Sequence, residues 1–123
     1  MNEDIKVAVI GASPNSDRYS YKALEMLAEY SYDAIPVSPH YDEVLGKECL
    51  DSLNDAKELL HTVSVYLRPD LQSELIDEII AKNPKRVIFN PGTENPKVYS
   101  RLIEEGIEPV EACTLVMLRT GQF

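Results

Sequence analysis

The residues with the clearest chemical capacity lie in one stretch, Val9-Ile10-Gly11-Ala12-Ser13-Pro14-Asn15-Ser16-Asp17-Arg18-Tyr19-Ser20. An apolar run ends there at Gly11, a hydroxyl follows at Ser13, and Arg18 offers a planar cation just before a helical pattern begins. A strand, a glycine turn and a helix start in that order suit phosphate. Glycine lets the backbone turn sharply and expose its amides, and the first turn of a helix has unpaired N–H groups at the positive end of its dipole. Arg68 follows a later apolar run and supplies a second cation, so the pair fits a ligand with more than one phosphate.

Other chemistries find little support. Cys49 and Cys113 lack C-x-x-C spacing, and with only His40 and His61 beside them they assemble no metal motif, so both are read as reduced thiols. His40 falls near the expected ligand edge, whereas His61 precedes a strand as a loop residue. Cys113 with Glu94 would be a poor nucleophile and helper, because an unactivated cysteine in an apolar segment is packing material. No catalytic residue is assigned. A dinucleotide fingerprint G-x-G-x-x-G is also broken, since its three positions hold Gly11, Ser13 and Ser16. The acid that grips an NAD ribose belongs at the end of the second strand, where Ser38 and Pro39 stand. An NAD(P)-binding or acyl-CoA-using enzyme subunit, completed by a partner chain, is the alternative to a non-catalytic binding module.

The charge balance narrows the partners. With 21 acidic against 12 basic residues the net charge is -9, and no Lys/Arg stripe is present, which argues against nucleic acid and anionic membranes. Neither a secretory signal nor an apolar run of about 18 residues is seen, so a cytoplasmic location is expected. The 123 residues suit a single domain spanning 1–123.

These groups must be positioned by alternating strands and helices. Ile5 to Ile10 is nearly continuous in apolar residues, as in a strand buried on both faces. Tyr19 to Tyr30 carries Ala23, Leu24, Leu27 and Ala28 at helical spacing, with Ser20 or Asp17 available as a cap. Asp33 to Pro39 is a short second strand, Tyr41 to Leu53 an excursion containing Gly46, and Asn54 to Leu60 a brief helix. Thr62 to Leu67 is the third strand. Asp70 is expected to cap a helix with Leu71, Leu75, Ile76, Ile79 and Ile80 on its apolar stripe. Arg86 to Phe89 is the fourth strand. Asn95 is expected to cap a helix whose buried face is Val98, Tyr99, Leu102 and Ile103, ending at Gly106. Ile107 to Val110 is a fifth edge strand, and Ala112 to Phe123 is a closing helix or a subunit contact, with Leu115 to Phe123 the surface at which a homodimer would form. Repeated βαβ units predict an α/β fold, a three-layer, Rossmann-like, doubly wound parallel sheet of about five strands. Ligands in such sheets sit beyond the carboxyl ends of the strands, and the four loops at that end are rich in Gly, Pro, Ser, Asn and Arg.

Those loops carry a resemblance. V-I-G-A-S-P-N-S-D-R-Y-S at Val9 to Ser20, I-P-V-S-P at Ile35 to Pro39, L-G-K-E-C at Leu45 to Cys49, Y-L-R-P at Tyr66 to Pro69 and N-P-G-T-E-N at Asn90 to Asn95 resemble the small CoA-binding proteins related to the nucleotide-binding domain of the succinyl-CoA synthetase alpha subunit. The resemblance implies a domain that binds coenzyme A or an acyl-CoA, with Gly11, Ala12, Ser13, Arg18 and Ser20 near the phosphates. It further implies that Val37, Ser38, Pro39 and the turn Leu67, Arg68, Pro69 flank the adenosine, and that Asn90, Pro91 and Gly92 border the pantetheine. Two positions depart from the pattern. Family members commonly have Asn where Ser38 stands, and an aromatic-Leu-Gln-x-Gly loop where this chain has Phe89-Asn90-Pro91-Gly92.

Overall fold

Apolar runs that suit strands buried on both faces pair here in parallel. The computed structural model describes residues 4–123. Strand β1 (Lys6–Ile10) leads through helix α1 (Tyr19–Glu29) to β2 (Asp33–Val37). A two-stranded hairpin, β3 (Glu43–Val44) and β4 (Lys47–Glu48), precedes β5 (Thr62–Val65), and α2 (Ser73–Lys82), β6 (Arg86–Phe89), α3 (Tyr99–Glu104), β7 (Glu108–Glu111) and α4 (Thr114–Arg119) complete the chain. The main sheet is five-stranded and parallel, in the order β2-β1-β5-β6-β7. The chain thus reverses direction across the sheet between β1 and β5. Ile10 is level with Val37 on one side and Val65 on the other, and Val65 with Phe89, so four strands end together.

Alternation along β1 explains why its run is apolar throughout. Val7 and Val9 face Leu24 and Leu27 of α1 and Leu118 of α4, while Ala8 and Ile10 face the layer that contains Ile76 and Ile79 of α2 and Leu102 of α3. Pro36 lies inside β2 without breaking the ladder. Its carbonyl accepts from Leu50 N at 3.0 Å on the side away from β1, so the N–H that proline lacks would have faced the outer edge.

Several local expectations change. Arg18, not Ser20 or Asp17, occupies the N-cap of α1, and no side-chain oxygen caps it. The excursion forms a hairpin whose turn places Leu45 and Gly46 both at positive φ, 53° and 75°. Asn54 to Leu60 gives only a 3-10 turn, Leu53–Asp55, because Ser52 Oγ accepts from Asn54 N while Leu53 plugs the core and Ala56 turns extended. Asp70 does not cap α2: it lies in a 3-10 turn, Pro69–Leu71, where its carboxylate pairs with Arg68, and Leu71 is 54% exposed. Asn95 caps nothing with its side chain, which donates to Gln72 Oε1. Ile103 is 61% exposed rather than part of the buried face of α3, which is carried by Leu102.

The C-terminal segment packs on its own fold. Leu115 and Leu118 are buried, and Phe123 meets Tyr32 edge-on at 4.9 Å while the Arg86 guanidinium lies 4.4 Å from its ring centre. Among the described residues no helix is long and apolar enough to cross a membrane.

Candidate functional site

Gly11 makes the sharp turn after β1 with φ at +84°, a region that side chains with a Cβ avoid. A Cβ there would also stand 3.1 Å from the Tyr66 carbonyl oxygen, so glycine lets the loops after β1 and β5 approach each other. Its amide is not free for a ligand, contrary to the sequence expectation. Gly11 N and Ala12 N both donate to Val37 O, at 3.0 and 3.2 Å, which prolongs the pairing with β2. The loop then folds on itself: Asn15 N donates to Ser13 Oγ, Asp17 N to Asn15 Oδ1, and Arg18 N to Asn15 O. That leaves several amides of the junction, those of Ser13, Tyr19 and Ser20 among them, without a protein acceptor among the described residues. The end of the junction suited to an anion is therefore the start of α1, where no acidic residue occupies the first turn and where Arg18 makes no ion pair among the described residues.

Two buried amides that sequence reading did not single out as structural lock the other loops. Gln72 is fully buried, and its Nε2 donates to both Leu67 O and Thr93 O at 2.8 Å, tying the loop after β5 to the loop after β6. Its only sequence signal is a polar residue at the head of an apolar helical stripe. Asn90 is 1% exposed. Its Nδ2 donates to Ser64 Oγ and Val65 O, each at 2.9 Å, and its Oδ1 accepts from Thr114 N at 2.9 Å. Thr93 then bonds back to Asn90 O through both its amide and its hydroxyl.

Between these loops, at the reversal of strand order, opens a cavity of about 1000 Å³. All four loops beyond β1, β2, β5 and β6 contribute to its wall. Gly11, Ala12, Ser13, Arg18 and Ser20 line it from the first. Val37, Ser38 and Pro39 line it from the second, Leu67 and Arg68 from the third, and Pro91 and Gly92 from the fourth. Pro69 and Asn90 do not line it: Pro69 opens the 3-10 turn, and the Asn90 side chain is spent inside the fold. His40 lies on the wall, whereas His61 sits at the opposite end of the strands, its amide donating to Lys6 O. Tyr19, Tyr41 and Tyr66 and the acidic residues Asp17, Asp51, Glu74 and Glu78 also line the cavity, with Glu78 Oε1 accepting from Leu53 N at 3.1 Å. Asp51, Glu74 and Glu78 escaped sequence reading because they come from the excursion and from the polar side of α2, which only the tertiary fold brings to this edge.

The Cys49 thiol is not arranged for attack. Cys49 is buried, its Sγ donates to Ser38 O at 3.6 Å, and burial pushes its pKa up. Tyr66 carries an unusual hydroxyl, buried with no hydrogen-bond partner among the described residues. The hydroxyls of Ser64 and Thr114 stand nearby but are joined to each other at 2.8 Å, and burial pushes the phenol pKa up to about 12. Removing an unpartnered buried hydroxyl relieves desolvation, so Tyr66→Phe should be neutral or stabilising by up to about 1 kcal/mol in a denaturant titration. A loss of stability would show that the hydroxyl is satisfied in solution.

The strand order, the level strand ends and the cavity at the reversal define a doubly wound α/β domain of the kind that holds ligands at its switch point. The chain belongs to the CoA binding domain family, whose model matches residues 6–119. YneT, an uncharacterized protein of Bacillus subtilis, is 28% identical over 101 residues, covering 82% of this chain and 75% of that protein. The ADP-forming acetate–CoA ligase of Methanocaldococcus jannaschii is 24% identical over 83 residues, 68% of this chain but only 12% of the ligase. The crystal structure of an uncharacterized protein, 42% identical, has a TM-score of 0.88 and matches over 97% of this chain and 98% of that one.

Proposed function

We propose that the chain is a CoA- or acyl-CoA-binding module that holds its ligand in the switch-point cavity and performs no chemistry of its own. The observation that carries this reading is a cavity of about 1000 Å³ reached by all four strand-end loops, with the uncapped start of α1 and Arg18, which has no ion pair among the described residues, on its wall. That volume is at the upper end for small-ligand sites and suits a long, bent nucleotide rather than a simple metabolite. The pyrophosphate would take the amides of Ser13, Tyr19 and Ser20 with Arg18 beside them. The adenosine would lie along Val37, Ser38, Pro39 and the Leu67-Arg68 turn, and the pantetheine arm would leave past Pro91 and Gly92. Membership of the CoA binding domain family supports the ligand class. Such a module would act on a small-molecule nucleotide, in the cytoplasm, either alone, as a homodimer, or beside a chain that supplies catalytic groups.

Calorimetry on protein cleared of carried-over ligand should detect CoA binding. Arg18→Ala should weaken it roughly tenfold or more, the size of one charge-assisted contact to phosphate. No binding of CoA, acetyl-CoA or ADP at high micromolar concentration would remove the reading, and an unchanged affinity in the variant would remove Arg18 from the site.

A further inference from the structure

The loops that wall the cavity are tied to one another in pairs. Those after β1 and β2 share the Val37 carbonyl, which accepts from Gly11 N and Ala12 N, and those after β1 and β5 close where Gly11 lets the Tyr66 carbonyl approach. Both ties are made by backbone. The loops after β5 and β6 are joined differently: among the described residues no hydrogen bond runs directly between segments 67–71 and 91–95, and the Gln72 side chain bridges them.

The fully buried Gln72 uses Nε2 for both carbonyls, Leu67 O and Thr93 O, each at 2.8 Å. Its Oε1 accepts from Asn95 Nδ2 at 3.1 Å, which sets the end of the amide that faces the two carbonyls. Asn95 is held in turn, because its backbone amide donates to Tyr99 Oη and that hydroxyl donates to Glu111 Oε2. A chain of hydrogen bonds thus runs from β7 to the edge of the cavity. Leu67, Arg68 and Leu71 line the cavity from one side of the bridge, and Gly92 and Thr93 from the other, whereas Gln72 itself does not line it. Burying an amide there costs desolvation that an apolar side chain of similar bulk would avoid, and what the amide contributes in return is the spacing of the two loops.

Resting on the CoA reading above, we infer that Gln72 is a positioning residue for the ligand: by holding Leu67 O and Thr93 O on one nitrogen it sets the gap between the wall that takes adenosine and the wall that takes pantetheine. A ligand that spans both walls gains from having them spaced in advance, because binding then does not have to order them. A ligand that meets only the adenosine wall gains little from the bridge. CoA affinity therefore depends on a side chain that CoA does not touch.

The test is calorimetry on the full chain with CoA and ADP, at a temperature where circular dichroism shows each variant folded. Gln72→Met keeps the bulk and removes all three side-chain bonds; it should weaken CoA roughly tenfold or more, and ADP, which lacks the pantetheine arm, about threefold or less. Asn95→Ala keeps both Gln72 donor bonds but frees the amide to turn, so a loss of about threefold for CoA and none for ADP is expected. Leu102→Ala removes buried bulk from α3 and no hydrogen bond of either loop, and it should leave both affinities unchanged, which separates spacing of the walls from loss of stability. CoA affinity within about twofold of the unaltered protein in Gln72→Met, or in Asn95→Ala if the first variant does not fold, overturns the inference and leaves the CoA reading standing. Equal losses for CoA and ADP, or the same loss in Leu102→Ala, also overturn it, since a loosened fold rather than a displaced wall would then be responsible. No binding of CoA by the unaltered protein overturns both.

Discussion

Asn90→Leu is expected to destabilise the fold by about 3 kcal/mol or more, one of the largest effects open to a single side chain outside the apolar core. The asparagine is 1% exposed and makes three side-chain hydrogen bonds, to Ser64 Oγ, Val65 O and Thr114 N. Leucine has similar bulk but leaves the Thr114 amide and one bond to the Val65 carbonyl unmet, and each unmet buried group costs about 1–3 kcal/mol. A shift in the denaturant midpoint with an unchanged slope would register the loss. Asn90→Asp provides the sharper comparison. A carboxylate cannot donate to Val65 O, and its burial would raise its pKa above the unfolded value of about 3.9. The protonated form, which restores a donor, is favoured by folding, so the stability of this variant should be greatest at acid pH and fall as pH rises through the raised pKa. A deficit that does not change with pH would show that the network does not depend on the Nδ2 donor.

Gly11→Val should damage both stability and binding. The residue would adopt φ near +84°, which costs about 1–2 kcal/mol for an ordinary side chain and more for a β-branched one, and its Cβ would stand 3.1 Å from Tyr66 O and 3.4 Å from Leu67 Cδ2. Relief requires the loops after β1 and β5 to separate, and those loops form two walls of the cavity. We expect a loss of about 3 kcal/mol in stability and a more than tenfold loss of CoA affinity, read by thermal denaturation and calorimetry on the same sample. Gly46→Ala is the control. Its φ is +75° with nothing within 4 Å of the added carbon, so it should show strain of about 1 kcal/mol and unchanged affinity. Affinity retained in Gly11→Val would show that the two loops do not need to touch.

The contrast between these positions shows what could be read from the chain alone. The parallel sheet was legible because Val7 to Ile10 and Val87 to Phe89 are apolar on both faces, and because Thr62 to Val65 alternates between hydroxyl and apolar side chains as a strand does. The junction at Gly11 was legible because glycine there has a local cause. The helix starts were not, because their polar residues had competing partners. Asp70 pairs with Arg68, Asn95 bonds Gln72, and α1 begins at Arg18 with no cap. Capping is a local rule, and here tertiary contacts claim the capping groups first. The acidic wall was illegible for a related reason. Glu74 and Glu78 are one turn apart on the polar side of α2, which in sequence is indistinguishable from a solvated helix face. Asn90 stood in a loop rich in ligand-binding residue types, and nothing local indicated that its amide points inward.

The contact of Phe123 with Tyr32 and Arg86 joins the end of the chain to the beginnings of β2 and β6, and β1 starts from the same edge, while the cavity opens at the other. Phe123 and the start of β1 thus lie at the opposite end of the strands from the mouth of the cavity. A tether or fluorescent tag joined at Phe123 would leave the mouth of the cavity facing solution, so the domain can be immobilised there without screening the cavity.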